Sequence, residues 1–230
     1  MIGNWLQKWF GGRSAAPAVA QQEQVRKEQA EQDAAYDPLG ALNDHIRRDV
    51  AGGFYDDDAI LTNALDAFDG ELAPGVLRQA ASSALRKALA EHRVAEREWT
   101  EATDCDRLDD AFAALEASGV IARQNFTCCG TCGSTEIWDE IGSAEAAGLP
   151  AHGYAFFHMQ DTESAAEGYG LYLNYGACTE GEAAALAIGH EIVEQLEAHG
   201  LRTEWNGDWG TRIHVALDWK KRRSLALAEG

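Results

Sequence analysis

Apolar positions recur every three or four residues through the first half of the chain and every two residues through parts of the second. Ile2, Trp5, Leu6, Trp9 and Phe10 form one helical stripe, which predicts a short amphipathic tail over residues 1–12. Residues 13–36, rich in Gly, Ala, Gln and Glu, read as a flexible linker, so the tail docks either on its own domain or on a partner. Asp37-Pro38 then reads as a helix cap with proline at the first position. Leu39, Leu42, Ile46 and Val50 share the helix's inner face, and Gly52-Gly53 ends it. Further helices are predicted over 57–68, over 74–99, and over 104–117 behind a Thr103 cap with Leu108, Phe112 and Leu115 inward. Residues 37–118 are therefore expected to form a helical lobe.

After Gly119 the period shortens. Strands are expected over 120–126, 154–160 and 170–175, with a helix over 134–147. Thr179-x-x-Glu182 has the spacing of a capping box and predicts a helix running to Gly200. Asn206-Gly207 marks a turn before a last strand, in which Ile213, Val215, Leu217 and Trp219 alternate with Arg212, His214, Ala216 and Asp218. The expected class is α+β: an N-terminal helical lobe followed, over 119–223, by a largely antiparallel sheet with two or three packed helices.

Charge narrows the partners. A formal net charge of -19 has the wrong sign for neutralising phosphates, which argues against nucleic acid and leaves a basic protein or a small ligand as candidate partner. The sequence contains no apolar run approaching the ~18 residues of a membrane span, and its first twenty residues lack the apolar core of a secretory signal; a cytoplasmic protein is expected. Between Arg123 and Arg202 there is no Lys or Arg, yet there are twelve Asp and Glu. Those carboxylates must be solvated, or met by a flanking Arg or Lys, a metal, or a basic partner.

The run Asn125-Phe126-Thr127-Cys128-Cys129-Gly130-Thr131-Cys132-Gly133 is followed in order by Gln160-Asp161-Thr162-Glu163, by Leu171-Tyr172-Leu173-Asn174-Tyr175-Gly176 and by Asp218-Trp219-Lys220-Lys221-Arg222-Arg223. Over about residues 103–223 these motifs resemble a bacterial family described only as a domain of unknown function. The resemblance implies a unit shared among bacterial proteins and brings no activity, substrate or cofactor with it.

Chemistry must then be read from the residues. Five cysteines in an expected cytoplasmic chain argue against a disulfide framework. Cys128, Cys129 and Cys132 cluster between a predicted strand and a predicted helix, and three readings stay open. They could hold zinc, with His158, His152, Cys105 or Cys178 completing the tetrahedron; form a thiol redox pair at a helix start; or simply pack a glycine-rich turn. A second candidate site is the polar face on which strand periodicity places His158, Gln160, Tyr172 and Asn174, with Asp161 and Glu163 at its end. His190-Glu191-x-x-Glu194 departs from the zinc-peptidase pattern where the second histidine belongs and reads as an exposed helix face. The terminal Lys220–Arg223 run is expected to answer the protein's own acidic groups or to end the last strand in solvent rather than to read phosphates. Two functions are carried forward: a recognition or accessory module with an acidic surface, and a metal- or thiol-dependent enzyme centred on the cysteine turn and His158.

Overall fold

The computed structural model describes residues 36–223, so the expected tail and, apart from Tyr36, the expected linker lie outside the described residues. From Ala41 onward the described residues belong to one compact unit. Three helices open the described chain: α1 (Pro38–Gly52), α2 (Asp57–Ala67) and α3 (Pro74–Glu96). Their apolar stripes meet in one cluster that includes Leu42, Ile46, Ile60, Leu77 and Leu85. Asp56 caps α2, its carboxylate accepting from the Ala59 N–H at 2.7 Å. Helix α4 (Asp104–Ser118) has the expected Thr103 cap, reciprocated by Asp106, and ends at Gly119, whose φ of 96° favours glycine. The inward residues of α4, among them Leu108, Phe112 and Leu115, join the core beneath the sheet.

That sheet has five strands in the order β1 (Val120–Arg123), β2 (Gly153–Phe156), β3 (Leu171–Ala177), β5 (Ile213–Ala216) and β4 (Arg202–Glu204). Only the β1–β2 pair is parallel; the remaining pairs are antiparallel, which gives the expected α+β architecture. Helix α5 (Gly130–Ala146) carries the parallel crossover, α6 (Met159–Ala166) follows β2, and α7 (Glu182–Ala198) follows β3. Close approach is possible because side chains are missing at two points. A Cβ on Gly133 would collide with the Phe156 ring, and one on Gly153 would lie 2.5 Å from Ile188.

Several expectations are corrected, among them the last strand, which was expected to reach Trp219 and ends at Ala216. The strand expected over 154–160 ends at Phe156, because His158 and Asp161 form a capping box that opens α6. The strand expected over 120–126 ends at Arg123, and the helix expected from Ser134 begins at Gly130, so the connecting bend is only six residues long. Helix α7 is capped by Gly181 at φ 118° with no side-chain bond, so Thr179 does not cap it.

The last described residues leave the sheet at Ala216 and return across the first helices. The Trp219 indole N–H donates to the Ala51 carbonyl at 3.0 Å, Arg223 donates to the Tyr55 carbonyl at 2.8 Å, and Lys221 meets Asp109 at 2.9 Å. The basic run thus answers the protein's own acceptors. Beneath it, Phe157 is ringed by Phe54, Phe112 and Trp219, with ring centroids 5.8–6.2 Å away.

Cys105 on α4 is 1% exposed, and burial pushes its thiol up to about 12. A raised folded-state value for an acid leaves stability intact below the unfolded value near 9 and removes it as pH rises from there toward 12. Stability is expected to fall by about 1.4 kcal/mol per pH unit in that window, and Cys105→Ala to flatten the fall. Urea midpoints at pH 8 and pH 10 measure it; equal slopes in parent and variant would refute the assignment.

Candidate functional site

The bend from Gln124 to Cys129 is held like an extension of the sheet. Phe126 N–H donates to the Phe157 carbonyl at 2.8 Å, and Met159 N–H donates to the Thr127 carbonyl at 3.1 Å. The side chain of Asn125 accepts from the Thr162 hydroxyl at 2.8 Å. Two residues of the bend lie in the left-handed region, Asn125 at φ 50° and Thr127 at φ 60°. Asparagine tolerates this, but a β-branched threonine does not adopt it without cost, so the fold holds strain directly before the cysteines.

Cys128 is exposed, while Cys129 and Cys132 are half-exposed, so none of the three is packed away in hydrocarbon. Their sulfurs lie within 4.8 Å of one another, and those of Cys128 and Cys132 are 3.5 Å apart. Tetrahedral zinc–thiolate bonds of about 2.3 Å place sulfurs about 3.8 Å apart, so the spacing suits one soft ion. Cys129 is the N-cap of α5. The backbone N–H of Cys132, then the Cys132 thiol and the N–H of Thr131, lower its pKa, although no full capping hydrogen bond forms. Cys132 is pushed up to about 11, chiefly by the Cys128 thiol and then by Cys129. One thiolate is therefore easily held, and a second needs a compensating cation.

The first turn of α5 rests against His158 and Asn174. A Cβ on Gly130 would stand 3.7 Å from His158 Nε2 and 3.8 Å from Asn174 Oδ1, and Asn174 Nδ2 is buried without a hydrogen-bond partner. His158 is itself buried. Its Nδ1 accepts from the Asp161 N–H at 3.3 Å, which leaves the proton on Nε2, 3.1 Å from Asp161 Oδ2. Burial, assisted by Arg212, lowers the imidazole pKa against the pull of Asp161, so the ring is neutral near pH 7. Arg212 donates to Asp161 Oδ1 at 2.6 Å, stands 3.4 Å from His158 Nε2, and lies over the Tyr172 ring at 5.0 Å.

The candidates of the sequence thus fall into separate places. Cys128, Cys129 and Cys132 form one sulfur group, with His158 and Asn174 beside its helix. His158 is not within the group's mutual 4.8 Å, and neither are Cys105, Cys178 and His152, the last of which pairs with Glu191 at 2.9 Å. Tyr172 lies farther along, against Arg212 and His214. Gln160 is exposed on α6, and Glu163 turns away from Asp161 toward α1, because residues two apart on a helix point to different sides. The sequence reading did not single out Arg212 as a site residue; the absence of Lys and Arg between 123 and 202 was the signal that a flanking cation had to serve those carboxylates.

A family model described as a domain of unknown function, DUF6891, matches residues 35–223. The chain belongs to this family. No curated protein and no solved structure matches it. The DUF6891 match begins well before residue 103, where the sequence resemblance started, so α1–α4 lie inside the family's domain together with the sheet. Among the described residues of this DUF6891 member, no helix is long and apolar enough to cross a membrane.

Within the DUF6891 domain, Arg212 keeps Asp161, 6% exposed at its side chain, from being a buried unpaired charge. Arg212→Met is expected to destabilise by about 2 kcal/mol, below the usual cost of breaking a buried pair because the guanidinium is partly exposed. Asp161→Asn in the same chain should recover most of that loss in urea unfolding. A double variant no more stable than Arg212→Met would contradict the pairing.

Proposed function

We propose that the protein is a soft-metal-binding domain in which the thiolates of Cys128, Cys129 and Cys132 hold one zinc ion and leave a fourth position to water or an incoming ligand. The observation that carries this reading is the placement of three accessible sulfurs at metal-ligand spacing where a strained, well-anchored bend enters α5. Three protein ligands with an open position are the arrangement of catalytic zinc sites, and the acid–base partner at hand is His158, oriented by Asp161. The net charge of -19 supports a further element of the reading, recognition of a basic protein partner by the surface around the site.

A second reading is favoured by one observation, the lowered pKa of Cys129 beside the raised one of Cys132. That contrast is what a thiol–disulfide couple requires of its attacking and resolving groups. One experiment separates the two. Protein purified without chelator is analysed for zinc while its thiols are titrated with a mercurial. The metal reading expects one zinc per chain, released as three thiols react. A zinc-free protein that takes up none at micromolar concentration, yet converts two thiols to a disulfide on mild oxidation, would transfer the site to the second reading.

A further inference from the structure

The three sulfurs beside α5 are not equivalent. Cys128 is exposed, and its sulfur lies 3.5 Å from that of Cys132. One zinc ion holds two thiolates about 3.8 Å apart, so without the ion this pair already stands closer than ligation requires. Closing it to the ~2.05 Å of a disulfide takes about 1.5 Å of movement, which side-chain torsions can supply. Neither sulfur is packed in the core, and the bonds that anchor the bend, from Phe126 to Phe157 and from Met159 to Thr127, are backbone bonds without sulfur. Cys129 is tied differently. The backbone N–H groups of Cys132 and Thr131 stabilise charge on its sulfur, and a disulfide at Cys129 would give that stabilisation up. The other two cysteines, Cys105 in α4 and Cys178 after β3, stand outside the group.

We propose that the closest pair is a peroxide-sensitive release for the metal: oxidation joins Cys128 to Cys132 as an intrachain disulfide, leaves Cys129 reduced and expels the zinc ion. This rests on the reading in which the three thiolates hold zinc, and adds what empties them. The exposed Cys128 thiolate attacks one oxygen of hydrogen peroxide; the O–O bond breaks, a sulfenic acid forms on Cys128, and hydroxide leaves. The Cys132 thiolate then attacks the Cys128 sulfur; the S–S bond forms, the S–O bond breaks, and a second hydroxide leaves. Two electrons pass from the two thiolates to the peroxide, and two protons from solvent turn the hydroxides into water. Of the three protein ligands one remains, too few to keep zinc. Reduction by a dithiol returns both thiols and reopens the site. This differs from a thiol–disulfide couple built on Cys129 and Cys132 both in the sulfurs that join and in the metal that leaves.

The test uses the full chain in two arms. In the first, zinc-loaded protein receives one equivalent of hydrogen peroxide; a chromogenic chelator follows the free zinc, and differential alkylation with tandem mass spectrometry maps the thiols. One zinc per chain is expected to leave as two thiols are lost, with Cys128 and Cys132 linked and Cys129 still open to alkylation. Dithiothreitol followed by added zinc should restore the metal content. In the second arm the chain is stripped of metal, so that ligand loss does not confuse the variants. There Cys128→Ser and Cys132→Ser should each slow disulfide formation by about tenfold or more, whereas Cys129→Ser should stay within about twofold of the parent. A chain that takes up no zinc fails the zinc reading at the loading step, before peroxide is added, and overturns the release with it. A chain that loads zinc and keeps it after oxidation overturns this inference alone, as does a linkage that contains Cys129 or joins two chains.

Discussion

Replacing Cys128, Cys129 and Cys132 together by serine is expected to give a folded chain that purifies without zinc, and Cys132→Ser alone to weaken zinc binding by about a hundredfold or more. Serine keeps the size of the side chain and removes the soft donor, so any loss reports on ligation rather than on packing. The bend itself should survive, because its anchors are elsewhere: the Phe126 and Met159 backbone bonds and the Asn125–Thr162 bond do not involve sulfur. Far-ultraviolet circular dichroism of the triple variant should therefore match the parent, with zinc content falling from one equivalent to none. Because bound metal stabilises the folded state by mass action, the parent stripped by chelator should melt at the lower temperature of the triple variant. Full zinc retention in the triple variant would place the metal elsewhere.

The second large effect is expected at Phe157, which is fully buried. Phe157→Ala should cost about 3–5 kcal/mol, the range for removing an aromatic ring from a closed core. The ring touches the segment after α1, α4 and the returning end of the chain, so a cavity there has walls from three separate stretches and cannot close by moving one of them. Phe157→Leu, which keeps much of the volume, should cost less than half as much. Chemical denaturation with an unchanged m-value reads both. A loss under 1 kcal/mol for the alanine variant would mean that the helices of the first half are held by other contacts.

The fold class was legible because it is written in periodicity. Of the stripe Leu39, Leu42, Ile46 and Val50, visible as spacing, the last three are buried while Leu39 at the helix start is exposed, and the Thr103 cap forms as expected. The candidate site was legible only in part. The sulfur group could be seen because its members are neighbours in the chain, whereas Arg212 lies 51 residues from Asp161 and no local pattern joins them. His158 was misplaced for a chemical reason. Imidazole is not among the usual caps, so a His-x-x-Asp spacing at the end of an apolar run reads as a continuing strand.

The return of residues 219–223 over the opening helices sets an order of events during synthesis. The carbonyls of Val50, Ala51 and Tyr55 wait for donors that leave the ribosome about 170 residues later, so the nascent chain must hold its first helices with that seam open. Final closure is thus a late step, and the aromatic hub under it is the surface that a chaperone would meet on the unfinished polypeptide.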